Sequence, residues 1–450
     1  MRKNIEKQLP LSTTTSDHAQ VKELEAISQL IDSKPALSEK ILQDLNRGKI
    51  FKSNKGAKGM TADQVLRAAM VMILYGFTYE DLAFHISDSE VLRHFCRIGF
   101  GDKGFKKSAL NANIKRISPE TWEAINRDLV GHANEEGVEK GREVRVDCTV
   151  VETNIHAPKD SVQLWDCVRV LVRLLYMAKT FLGATFIFTD HESRAKRRMV
   201  GIQNSRNDNE RKPKYLDLLK VTRKVVGCAI SALTLLEKCS DMRALGLILD
   251  LKHYISLTER VINQTERRVI NGEQVPATEK VFSIFEEHTD IIVKDKREQH
   301  YGHKICLTGG ASNLILDCKI LEGNPADATL VKEMIERQRA IYGRPPLKAA
   351  FDGGFASKEN LEIALKAGVK DVCFSKKRGL EVEDMCRSEY VYNRLRRFRA
   401  GIESGISWLK RTFGLTRCTW KGFESFKSYV MSAIVGANLL TIARKQLITA

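Results

Sequence analysis

The chain lacks the spacings that mark most metal and nucleotide sites. Its ten cysteines form no C-x-x-C pair and no finger-like set, which argues against a zinc module of that kind. Cys148, Cys306 and Cys373 fall in apolar, strand-like runs, where a reduced, buried thiol is the expected state. No long run is free of charge. Val168 to Phe188, read as the most hydrophobic stretch, carries Arg169, Arg173 and Lys179, as an amphipathic core helix would and a membrane span would not. Met1-Arg2-Lys3 leads into polar sequence, so no targeting segment is expected. Gly309-Gly310 lacks the Lys-Ser/Thr of a phosphate-binding loop, which leaves nucleotide hydrolysis without support. Acids are in deficit as well: 73 Lys and Arg against 56 Asp and Glu give a net charge of +17 over 450 residues. That excess calls for an anionic partner, nucleic acid before a ribosomal or membrane surface. The length suits two or three domains.

Among the acids present, three stand in unlike surroundings. Asp147 lies in the apolar-rich run Val144–Val151, which reads as a strand, and Asp352 ends another, Leu347–Phe351, closed by Gly353-Gly354. Glu403 sits in a helical stretch, Arg394 to Lys421, that holds eight Lys and Arg and no other acid. An Asp before Gly-Gly also suits a plain turn, but the joint pattern has a chemical rationale. Phosphodiester transfer needs charge neutralised on attacking and leaving oxygens, which two metal ions ~3.5–4 Å apart can supply. Magnesium takes hard oxygen ligands and keeps waters, so a few carboxylates suffice. The surrounding cations are then available for phosphates.

The flanking sequence reads as follows. Residues 18–32 and 37–47 are expected helices, and Lys52–Lys58 reads as a linker. Thr61-x-x-Gln64, Thr78-x-x-Asp81 and Ser87-x-x-Glu90 resemble capping boxes, with Gly76 separating the first two helices. Ser118-Pro119 starts a helix reaching about Ala133. Short helices in this arrangement suit a helix-turn-helix module, with Ser108–Ile117 (Asn111, Asn113, Lys115, Arg116) as the groove-facing candidate. Helical signals fill Ser161–Ile270, and His191–Lys224 holds eleven cations against four anions, which suits phosphate contact. Strands are expected at Ile291–Val293, Gly302–Thr308 and Leu314–Ile320, with Gly309-Gly310 in the hairpin turn between the last two. Asp327–Ile341 is a helix, Lys358–Ala367 another, and Asp371–Ser375 a short strand. His300, Tyr301 and His303 read as structural or surface residues. His156 has only its sequence proximity to Asp147 in its favour, and Glu152 faces away from Asp147. Trp408 reads as core, with base stacking as the alternative for an aromatic beside the basic helix.

Arg399, Glu403 and Lys410 fit R-x3-E-x6-K, and this resembles the signature around the last acid of DDE transposases from bacterial insertion sequences. Asp147 to Ser161 is similar to the first-Asp block of transposases close to the ISNCY grouping, and Phe351-Asp352-Gly353-Gly354-Phe355 to the second-Asp block, D-G-x-[FY]. Residues 60–120 look like the helical amino-terminal domain of such enzymes. One departure is plain: the signature's Tyr, three residues before the Arg, is here Arg396, and Tyr392 is not assigned its role. The resemblance implies an α/β fold with a ribonuclease-H-like catalytic domain over 141–450, a helical insertion at 160–285 and a helical DNA-binding or dimerisation domain at 1–140. It further implies that Asp147, Asp352 and Glu403 hold Mg2+ (or Mn2+) and that Arg399 and Lys410 contact DNA phosphates. The implied partners are double-stranded DNA, as element ends and target, and a second copy of the chain on DNA, with no membrane. The implied setting is the cytoplasm, at the bacterial nucleoid. A non-catalytic DNA-binding derivative and a structure-specific nuclease of the same fold are the rival readings.

Overall fold

In the computed structural model, which describes residues 4, 17–48, 59–99, 101–239, 241–294 and 298–449, the first third of the chain is helical. The expected linker Lys52–Lys58 lies outside the described residues, as does Met1-Arg2-Lys3. The helices are α1 (Ala19–Ser33), α2 (Pro35–Asn46), α3 (Ala62–Tyr75), α4 (Tyr79–Asp88), α5 (Glu90–Phe95), α6 (Lys107–Ile114) and α7 (Pro119–Glu135). Local chemistry starts and stops them. Thr61 and Gln64 satisfy each other's backbone N–H groups at the start of α3, and Thr78 and Asp81 do so for α4. Gly76 ends α3 at φ 66°, a left-handed turn that favours glycine. Ser118 caps α7 by accepting from the Thr121 N–H. The expected box at Ser87 is corrected. Ser87 lies inside α4, where its hydroxyl donates to the Ala83 carbonyl, and Ser89 caps α5 instead. Burial of Leu82 and Ile86 carries α4 past Ser87 before the chain turns.

Strand β1 (Glu143–Glu152) follows, and then a second unit, residues 154–291, with its own core. Its helices are α8 (Asp160–Leu182), α9 (Glu192–Gln203), α10 (Asp208–Glu237) and α11 (Leu245–Thr265). Leu171, Leu175, Leu218, Val225, Leu251 and Val261 meet in that core. Many cations of the basic stretch are engaged here. Arg194 and Arg198 share Asp217, Arg211 pairs with Asp208, Arg223 with Glu266, and Lys212 and Lys214 donate to backbone carbonyls. Arg197, Arg206, Lys220 and Lys224 stay exposed.

The remaining elements belong with β1 and the first seven helices: β2 (Asp290–Lys294), β3 (Glu298–Gly310), β4 (Ile315–Ile320), α12 (Val331–Tyr342), β5 (Lys348–Phe351), α13 (Lys358–Lys366), β6 (Asp371–Phe374), α14 (Val382–Met385), α15 (Glu389–Thr412) and α16 (Phe423–Thr449). The α/β expectation holds, with a mixed sheet ordered β2-β3-β1-β5-β6 and β4 beside β3. β1 pairs antiparallel with β3 and parallel with β5, and β6 continues the parallel side. β1 and β5 are in register at Val146 and Phe351, so the next residues, Asp147 and Asp352, leave adjacent strands side by side. The expected Gly309-Gly310 turn is corrected: both glycines belong to β3, and the reversal falls on Ala311–Asn313, with Asn313 at φ 70°. Packing explains the glycines. A Cβ on Gly310 would stand 2.2 Å from a carboxylate oxygen of buried Glu139.

The long helix α16 is apolar enough to cross a membrane by length and composition, with a mean hydropathy of 1.3, yet 83% of that window is buried inside the protein. Val168–Phe188 spans the second half of α8 and the turn after it. Asn438 of α16 ties the first unit together. It donates to the Asn126 side chain of α7 at 2.7 Å and to the Ile315 carbonyl of β4 at 2.8 Å, and accepts from the Ile315 N–H at 2.9 Å. With both asparagines buried, Asn438→Leu would leave several polar groups unpaired. It should lower stability by about 2 kcal/mol, read as a drop in melting temperature; an unchanged melting temperature would show that the network is dispensable.

Candidate active site

Asp147 projects from β1 where β5 has already ended, and Asp352 is the first residue past β5, capping the turn Gly353–Phe355. Glu403 arrives from α15. Arg399, one turn earlier on that helix, joins all three. Its Nη2 lies 3.0 Å from Asp147 and 2.9 Å from Asp352, and its Nη1 lies 2.7 Å from Glu403. The side chains of Arg399 and Asp147 are 13% and 14% exposed, that of Asp352 35% and that of Glu403 59%, so Asp147 sits at the floor of a cleft and Glu403 at its lip. The cleft measures ≈ 770 Å³, and Lys410, Lys304 and Asp327 also line it.

The two aspartates are set apart electrostatically. Burial pushes the Asp147 carboxyl up to about 6, against the pull of Arg399 and the Cys148 N–H, and Asp352 and Asp327 add repulsion. Asp352 is partly buried too, but the Ser375 hydroxyl at 2.8 Å, the Gly353 and Gly354 N–H groups and Arg399 outweigh its desolvation and hold it below the usual range. Distinct environments for paired carboxylates are a frequent mark of catalytic sites.

All five site residues expected from the sequence therefore meet in one cleft. Asp147, Asp352, Glu403 and Arg399 are in direct contact, and Lys410 lines the same space. Arg399, expected on phosphates, is engaged by the acids in this conformation. Sequence reading missed Ser375 and the Lys304–Asp327 pair, 2.5 Å apart. Asp327 carried only a helix-start signal, and Lys304 lay in a strand whose facing residues were not identified.

Other candidates sit elsewhere. His156 pairs with Asp166 at 3.1 Å within the second unit, and this bond raises its pKa. Glu152 is held by His300 and Arg417. His303 is buried against the rings of Phe423 and Phe426. Trp408 packs on Phe413 and Trp420 on Tyr429. The groove-facing candidate helix is partly corrected. Asn113 is buried and bonds the Ala109 carbonyl, and Arg116 lies past the end of α6 and donates to the Leu45 carbonyl. Asn111 and Lys115 line a hollow with Phe77, Tyr79 and Trp420.

Three carboxylates are a hard-oxygen donor set, suited to Mg2+ or Mn2+ and poor for softer ions. Among the described residues no three His, Cys, Asp or Glu side chains stand in a ligating arrangement. The Arg399 guanidinium lies between the acids and balances part of their charge. Seating such an ion calls for that side chain to turn toward another anion.

Residues 279–439 match the family described as transposase DDE domain. That segment spans Asp352, Arg399, Glu403 and Lys410 but not Asp147, and it supports a transposase-type function of the DDE class for the chain. No curated protein and no solved structure matches.

The raised ionisation of Asp147 has a consequence for stability. A carboxyl that ionises near 6 when folded and at 3.8 when unfolded favours the fold in its neutral form; that contribution is complete below about pH 4 and is lost as pH rises through 6, a loss of about 3 kcal/mol by neutral pH. Asp147→Asn should therefore melt above the wild type at pH 7–8 and together with it near pH 4. A variant that is less stable at neutral pH would contradict this origin.

Proposed function

We propose that the protein is a DNA transposase that cuts at the terminal inverted repeats of an insertion sequence and joins the freed ends to target DNA. The observation that carries this reading is the convergence of Asp147, Asp352 and Glu403 on one guanidinium from three separate elements. The family match over 279–439 supports it. So does the sheet, in which β1 has antiparallel β3 on one side and parallel β5 and β6 on the other, an order in keeping with a ribonuclease-H-like domain.

In this reading Asp147, Asp352 and Glu403 hold one or two Mg2+ ions, which neutralise charge on the attacking and leaving oxygens and activate water when bound. The residues of the chain do the rest. Asp147 and Asp352, fixed by the sheet, would share the metal ions, and Glu403 would hold one of them. Arg399 exchanges its carboxylate partners for DNA phosphate, and Lys410, across the same cleft, takes a neighbouring phosphate. No Ser or Tyr nucleophile is invoked, because the freed 3′ hydroxyl attacks the target directly. Helices within 1–140 and the exposed cations of α9 and α10 serve double-stranded DNA. Two copies of the chain work together, since two ends must be joined, in the cytoplasm at the nucleoid.

A magnesium-dependent cleavage assay on DNA bearing the inverted repeats that flank the gene tests the proposal. Wild type should cut at the repeat boundary and yield strand-transfer products, and Glu403→Gln should bind but not cut. Cutting without joining would favour a nuclease, and binding without cutting in both Mg2+ and Mn2+ would favour a non-catalytic derivative. Lys410→Ala should lower the salt dependence of end binding by about one phosphate contact; an unchanged slope would place Lys410 off the DNA.

A further inference from the structure

Two of the three acids are placed by strand pairing, but Glu403 comes from a helix, and no ladder of sheet hydrogen bonds sets where that helix sits. Its first half is anchored on β6, where the Tyr392 hydroxyl donates to the Phe374 carbonyl, and the segment that carries Glu403 is gripped by β1. Glu143, Arg145 and Asp147 alternate along the strand, so their side chains leave the same face. Each engages α15: Glu143 pairs with Arg394, Arg145 donates to the Phe398 carbonyl at 3.1 Å, and Asp147 takes Arg399 at 3.0 Å.

Arg145, the middle contact, is the one that the chemistry of the acids does not account for. It is 6% exposed, and its hydrogen bonds go to neutral acceptors, since its Nη2 donates to Asn313 Oδ1 at 2.5 Å in the β3–β4 turn. Its guanidinium lies 4.8 Å from the centre of the Phe398 ring. A buried cation is costly; the carboxylate of buried Glu139 offsets part of that cost without a hydrogen bond to it, and the surroundings are cut to fit it. A Cβ on Gly401 of α15 would fall 1.9 Å from Arg145 Nη1, and one on Gly309 of β3 would fall 3.3 Å from its Nε. Two glycines therefore wall a slot for one side chain. The gripped residues, Phe398 and Gly401, flank Arg399 and end two positions before Glu403.

We propose that Arg145 is a positioning residue that seats α15 on the sheet, so that Glu403 meets Asp147 and Asp352. The inference rests on the reading of the three acids as the metal-holding set. It assigns the strand residue two positions before the first acid to the placement of the third.

Amide hydrogen exchange over Phe398–Glu403 on the full chain without DNA, and Mn2+ binding followed by electron paramagnetic resonance on the full chain with duplex DNA bearing the inverted repeats, test it. Arg145→Met should speed exchange in that segment and weaken Mn2+ binding by about tenfold. It should weaken binding no further in the Glu403→Gln background. Gly401→Ala should act the same way, although alanine favours a helix over glycine, because its Cβ expels the guanidinium from the slot; it serves as well where Arg145→Met fails to fold. Unchanged exchange in both variants overturns the proposal. So does faster exchange with Mn2+ affinity intact, if Glu403→Gln has lost affinity, since Arg145 would then be structural only. If Glu403→Gln itself keeps full affinity, the metal reading of Glu403 fails. Faster exchange in Gly401→Ala still upholds the seat of α15 in that case, and unchanged exchange still overturns it.

Discussion

The parallel pairing of β1 with β5 is the constraint on which the site depends. It joins segments 205 positions apart, taking Asp147 to Asp352, and because the register is fixed at Val146 and Phe351 the two carboxylates leave the sheet side by side. A slip of one residue would turn every side chain of the strand to the opposite face. Burial in β1 opposes that slip: Val144, Val146 and Cys148 are packed in the core of this unit and alternate with Arg145 and Asp147, which a slip would turn into it. The hydrophobic effect thus acts on the geometry of the acids through strand register.

That geometry sets like charges against one another. Burial raises the ionisation of Asp147 and repulsion from Asp352 adds to it, while Asp352 is relieved by the Ser375 hydroxyl and backbone N–H groups. Arg399 offsets part of that negative charge from the helix side. The guanidinium has two classes of anion to choose between, the acids of the chain and the phosphates of DNA, and its bidentate fork suits both.

Much of this was legible in the sequence, for physical reasons. Asp352 and Glu403 stood out because a strand-end acid before Gly-Gly and a lone acid in a basic helix are unusual placements. The capping boxes at Thr61 and Thr78 were readable because they are local. What escaped is what depends on tertiary context. Ser87 and Ser89 offer the same hydroxyl two positions apart, and only the buried Leu82 and Ile86 decide which one caps. Gly309-Gly310 has the composition of a turn, but it is glycine because Glu139 and Arg145 press against it. Asn113 looked like a base-reading side chain until packing buried it. Arg145 gave no signal at all, since its role is defined by a helix some 250 residues later (Phe398 is 253 positions on).

The central claim is that Asp147, Asp352 and Glu403 form one metal site once Arg399 has turned away. Crystals of the protein with a DNA end and Mn2+, measured at the manganese absorption edge, test it most directly. The account predicts anomalous peaks at coordination distance from Asp147 and Asp352, with Glu403 on one of them and the Arg399 guanidinium on a DNA phosphate. Manganese bound elsewhere, or Arg399 still clasped by the three carboxylates with DNA in the cleft, would contradict it.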